Sequence, residues 1–185
     1  MNRDPDRDRD PAGRPRNARP RDGLGRPLGR ADSAEAPGVS GVSGSERIPD
    51  DLVIGGTEAA GLADQLLRDG RPFHAHEVLE AAWKSGPADE RDLWQGLAQI
   101  AVGLTHARRG NARGAVALLR RGAERVRAHQ AGTGSRSAAG RQASPFGMNI
   151  AFFLSAADGL AARIERDGLD GIPPADLSPG LLTAD

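Results

Sequence analysis

The sequence predicts an all-α fold: a single helical bundle of about five helices with disordered N-terminal and C-terminal tails. Three observations carry this. Apolar residues recur at helical spacing in separate stretches, and no run alternates as a half-buried strand would. Gly or Pro stands at the seams between those stretches. All six aromatic residues, two Trp and four Phe, fall between Phe73 and Phe153 of a 185-residue chain. Large rings dominate core energetics, so they mark the folded window, expected over residues 52–168.

Each helix has its own signals. The first is expected from Thr57, as N-cap, to Asp69, with Gly70 just beyond its end. The second opens on Pro72, a residue favoured at the first helical position, and runs to Ser85. There "SGPADE" breaks the chain. A third runs from Ala88 to Arg109, stopped by Gly110. The fourth runs from Ala112 to His129, with Ala115, Leu118, Leu119, Gly122, Ala123 and Val126 on one side and arginines on the other. Residues 131–144, "AGTGSRSAAGRQAS", read as a flexible linker. The last helix, 145–167, starts at Ser144-Pro145 and places Phe146, Ile150, Phe153, Leu154, Ala157, Leu160 and Ile164 on one stripe. Residues 169–185 read as a proline-broken tail. Residues 1–50 hold ten arginines, nine acids and no aromatic residue. Such a stretch buries too little to offset chain entropy, and disorder is expected.

Composition excludes some chemistry. There is no cysteine, so disulfides and thiolate metal sites are ruled out. Lys plus Arg and Asp plus Glu number 25 each, so no net field steers the protein toward nucleic acid or a membrane. The beginning lacks a secretory signal's apolar stretch, and "IAFFL" is too short to cross a bilayer. A soluble, cytoplasmic protein is the expectation.

The third helix is unusual because no charge falls between Leu93 and Ala107. Leu93, Leu97, Ile100 and Leu104 form its apolar ridge. Gln95, Gln99 and His106 wind into a second stripe roughly opposite. An uncharged polar stripe suggests a packed face or a cleft.

"HAHEVLE", from His74 to Glu80, concentrates polar chemistry on the second helix. His74 and His76 point about 200° apart and cannot share a metal. His76 and Glu80, four apart, share a face, with Trp83 on the same side. His76 and Glu80 edge an apolar arc of Ala75, Val78, Leu79, Ala82 and Trp83, while His74 and Glu77 are expected to face solvent. Three readings follow. The motif is a buried network in which His76 and Glu80 hydrogen-bond Gln95 and Gln99. Or it lines a cleft for a small ligand or protein partner, with His106 nearby. Or "HEVLE" is a variant of the zinc-protease pattern, with His76, Glu80 and His106 holding a divalent metal and Glu77 as general base. A fourth reading concerns Arg108–Arg127, where seven arginines face one acid, Glu124. That hairpin offers a phosphate or RNA site, but no aromatic residue is interleaved for base stacking, and nucleic acid is the less favoured partner.

The strings "RPFHAHEVLEAAW" and "RDLWQGLAQIAVGLTHARRGNARGAVALLRRGA" resemble domain-of-unknown-function family 309 over about residues 70–124. The signature residues here are Phe73, His76, Glu77, Glu80 and Trp83; then Gln95, Gly96, Leu97 and Gln99; then Arg109, Gly110, Asn111, Gly114 and Ala115. The resemblance implies an all-helical fold and no particular activity. The third and fourth helices also resemble one tetratricopeptide-type hairpin, with Gly110, Ala115 and Gly122 at its small-residue positions. That likeness implies antiparallel packing and is present in one copy, where a solenoid needs three.

Overall fold

The computed structural model describes residues 53–134 and 145–182. Within them lie five α-helices: α1 (Gly56–Arg68), α2 (Pro72–Ser85), α3 (Arg91–Arg108), α4 (Ala112–Gly134) and α5 (Ile150–Asp167). Single 3-10 turns at Ala88–Glu90, Pro145–Gly147 and Pro174–Leu177 join or follow them. Each helix packs against the next in sequence, and the apolar stripes converge on one core. The tail expected over residues 1–50 and most of the linker, 135–144, lie outside the described residues. The first four linker residues, 131–134, continue α4.

Several ends differ from expectation for local reasons. α1 starts at Gly56 with Gly55 as N-cap and no side-chain capping bond, so Thr57 lies inside the first turn. The stretch before α3 forms a 3-10 turn, in which the Glu90 carboxylate accepts a hydrogen bond from Trp94 Nε1 at 3.0 Å. α5 starts five residues later than Pro145. Asn149 caps it, its Oδ1 accepting from the Phe152 amide at 3.2 Å. Phe146 therefore leaves the α5 stripe. It takes a left-handed backbone, φ 56°, and its ring packs on Trp94 with centroids 5.1 Å apart.

The closest crossing is between α3 and α4, and glycine makes it possible. A Cβ at Gly96 would stand 2.6 Å from Val126 Cγ2, and one at Gly122 would stand 2.6 Å from the Gly96 carbonyl oxygen. Backbones in such contact leave no room for a methyl group. Gly103 sits against Leu119, and Gly114 against His106, so the two helices run antiparallel as the hairpin likeness implies.

The C-terminal segment is a strap, not a loose tail. Leu181 is fully buried. Its carbonyl accepts from the Asn149 amide at 2.8 Å, and Leu182 forms an isolated antiparallel bridge with Met148. Asp64 of α1 accepts from the amides of Leu181 (2.5 Å) and Leu182 (2.8 Å) through Oδ1, while Oδ2 meets Arg68 Nε at 2.7 Å. An otherwise costly buried carboxylate is thus fully partnered. The prolines mislead the reading: they stop a helix, but the backbone after them finds its partners elsewhere.

Candidate functional site

The geometry of α2 sorts its polar residues. At 100° per residue, Phe73, His76, Glu77, Glu80 and Trp83 share an arc of about 120°, and all five are half-buried. The opposite arc, His74, Ala75, Val78, Leu79, Ala81 and Ala82, is buried. The signature on this helix lines its outer rim and avoids the core. His74, expected to face solvent, is 3% exposed and meets the Phe73 ring edge-on at 5.7 Å. α2 packs against both α1 and α3, so its buried arc is wider than one neighbour would require. Glu77, also expected in solvent, is half-buried, and Trp83 shifts from the apolar arc to its margin.

His76 and Glu80 do meet. Nε2 stands 3.3 Å from one carboxylate oxygen, and Lys84 Nζ takes the other at 2.8 Å. Burial is the main influence on His76 and lowers its pKa below the ordinary value; Glu80 opposes this, Lys84 reinforces it, and the Phe73 carbonyl opposes it. The ring is therefore neutral at pH 7, and its Nε2–H faces Glu80. Nδ1 is shut off from water with no hydrogen-bond partner among the described residues.

The expected bonds from this pair to Gln95 and Gln99 are not made; Glu80 is taken by His76 and Lys84. The Arg109 guanidinium lies 5.8 Å from the Phe73 ring centre, and Gly86 abuts the Trp94 indole, so α2 and α3 run antiparallel. Lys84, one turn further along α2, takes the second Glu80 oxygen. Gln95, Gln99, Val102 and His106 form the half-buried stripe of α3. Gln99 Oε1 is sealed from water without a donor among the described residues.

His106 has a different duty. Asn111 Oδ1 accepts from the Gly114 amide at 2.9 Å, and its Nδ2 stands 2.7 Å from His106 Nδ1. With Oδ1 already accepting, Nδ2 donates, and the imidazole proton sits on Nε2. Gly114 leaves the space, since a Cβ there would fall 2.5 Å from His106 Nδ1. Gly110 turns the chain with φ 79°, and Ala115 is fully buried. The "RGNARGA" string is thus a built corner between α3 and α4. This commitment removes His106 as a third metal ligand beside His76 and Glu80. Among the described residues no three His, Asp or Glu side chains converge to hold a metal ion.

Three of the seven arginines in the basic hairpin are paired with acids in place. Arg120 pairs with Glu165, Arg125 with Asp92 and Arg127 with Asp158. These arginines tie α4 to α3 and α5. The reading of the sequence missed Asp64, although its signal was visible: an acid on the buried side of α1, one turn before Arg68.

Residues 62–118 match the family "Domain of unknown function (DUF309)". The matched region runs from within α1 into the first third of α4 and includes the α2 rim, Gly96 and the built corner; Gly122 and Val126, which Gly96 meets, lie beyond it. The chain is also similar to the uncharacterized protein YpuF of Bacillus subtilis (strain 168), 46% identical over 48 residues. That similarity covers 25% of this chain and 28% of the relative's length. No solved structure matches. No helix among the described residues is long and apolar enough to cross a membrane.

Proposed function

We propose that this helical domain is a binding module whose contact face is the rim of α2, Phe73, His76, Glu80 and Trp83, bordered by Gln99. One observation carries the reading: the rim holds two aromatic side chains and a paired imidazole and carboxylate that the fold leaves half-open, and two sealed polar atoms beside it, His76 Nδ1 and Gln99 Oε1, make no hydrogen bond among the described residues. Phe73 and Trp83 are ten residues apart, or about 15 Å along the helix. That length suits a peptide segment of a protein partner, anchored at its ends by rings as interface hot spots often are. Polar groups on the partner would satisfy His76 Nδ1 and Gln99 Oε1 after small side-chain movements.

The metal-dependent hydrolase reading has less support. Lys84 supplies to Glu80 the positive charge that a metal would otherwise bring, and His106 is committed elsewhere. The RNA reading is weakened by the acid partners of α4.

Site-specific photo-crosslinking tests the proposal. A photoreactive phenylalanine analogue replaces Phe73 or Trp83 in the full chain, with Arg121 on the exposed side of α4 as control. Adducts of defined mass from the rim positions and not from position 121, lost in His76→Ala, support a contact face. Equal labelling at position 121, or no adduct at either rim position, removes the proposal.

A further inference from the structure

We propose that Arg108, where α3 meets the α1–α2 turn and the C-terminal strap, anchors an oxyanion-binding site for a phosphoryl or carboxylate group. The site is separate from the α2 rim and from the basic face of α4.

The arginines of the fold differ in their partners. Arg68, Arg120, Arg125, Arg127 and Arg163 each meet a carboxylate. Arg108 is half-buried, yet no carboxylate meets it among the described residues. Its polar partner is neutral: Nη2 donates to Ser178 Oγ at 2.8 Å. Its Nε is sealed from water and has no acceptor. Guanidinium groups withdrawn from water ordinarily have an anion beside them, and a hydroxyl is a weak substitute for one. Burial lowers the Arg108 pKa, as expected for a cation with no countercharge, but the group remains charged in the physiological range.

The surroundings are shaped to hold this side chain. Gly70 turns the chain between α1 and α2 with φ 68°, and a Cβ there would lie 2.6 Å from Arg108 Nη2. The left-handed backbone favours glycine here, and the guanidinium rests against it. The strap passes close to a second cation, since a Cβ at Gly180 would lie 2.7 Å from Arg68 Nη2. Strap residues 178–180 therefore run from one guanidinium to another. Ser178 Oγ occupies the acceptor position that an oxyanion would take, and Ser178 is only half-buried. An incoming oxyanion would displace that hydroxyl from Nη2 and keep the guanidinium in place against Gly70. A planar fork of N–H donors suits both tetrahedral and carboxylate oxyanions.

The test uses the full chain, with inorganic phosphate and acetate as probes at constant ionic strength set by chloride. Phosphate, acetate or both should raise Tm by about 3 °C near tenfold saturation, and Arg108→Met should abolish the rise. Arg121→Met, which removes an exposed arginine of α4, should keep it. Nitrogen-15 NMR of the arginine Nε–H groups provides a second readout that needs no variant: the Arg108 resonance should move with added probe and saturate. Saturation by phosphate alone identifies a phosphoryl source, and saturation by acetate identifies a carboxylate source. Equal Tm shifts in wild type and Arg108→Met, or an Arg108 resonance unmoved by either probe, overturns the proposal.

Discussion

The α3–α4 corner and the α2 rim carry the same kind of signature residues, yet the fold uses them in opposite ways. At the corner every such residue has an internal task. Gly110 supplies a left-handed turn, Asn111 caps α4 and fixes His106, and Gly114 vacates the space they occupy. Gly96 and Gly122 let the two backbones touch. On the rim, Phe73, His76, Glu80 and Trp83 stay half-open, and their polar groups bond along their own helix. A motif is explained as architecture when removing it would break a contact the fold needs. The corner passes that test and the rim does not, which is why the proposed contact face is on α2.

Substitution at the helix crossing should have the largest effect. Gly122→Val drives branched carbon into the Gly96 carbonyl and the Ile100 side chain. Overpacking against backbone costs about 3 kcal/mol or more, to be read from urea unfolding. A variant as stable as wild type would show that α3 and α4 can part freely.

Asn111→Ala should have the next largest effect. It removes the α4 cap and the donor to His106 Nδ1, for a loss of about 1–2 kcal/mol. His106→Ala in the same background should then cost little further, because the two act together. Additive losses in that cycle would mean the corner is not a unit.

A smaller effect concerns pH. The His76 pKa is lowered in the folded protein, chiefly by burial. The unfolded chain therefore binds its proton first as pH falls through about 6.5. Stability contributed by the neutral ring is complete above that value and declines below it. Denaturation between pH 7.5 and 5.5 should show a shallower loss in His76→Gln than in wild type. Parallel curves would place the pH dependence on other groups.

Much of this was legible in the sequence because helices announce themselves locally. Pro72, Gly70 and Gly110 mark ends, and the apolar spacing of α2 to α5 marks the faces. The bounds of α2 came directly from Pro72 and the break after Ser85. What was hidden depends on partners distant in the chain. His74 looked exposed because a helical wheel cannot know that α2 has neighbours on two sides. Glu80 and Gln99 looked matched because periodicity gives a face but not a register along it. Leu181 lay in a proline-broken stretch, and its backbone partners, Asp64 and Asn149, are distant in the chain. The pairing of His76 with Glu80 was readable since both sit on one helix; which second group Glu80 would choose was not.

The most direct measurement of the central claim is the unfolding free energy of the double variant His76→Ala/Glu80→Ala. If the rim is spare to the fold, the loss stays below about 1 kcal/mol, the scale of an exposed one-turn ion pair. A loss of about 3 kcal/mol or more, the scale of a broken buried network, would return the rim to architecture and contradict its assignment as a contact face.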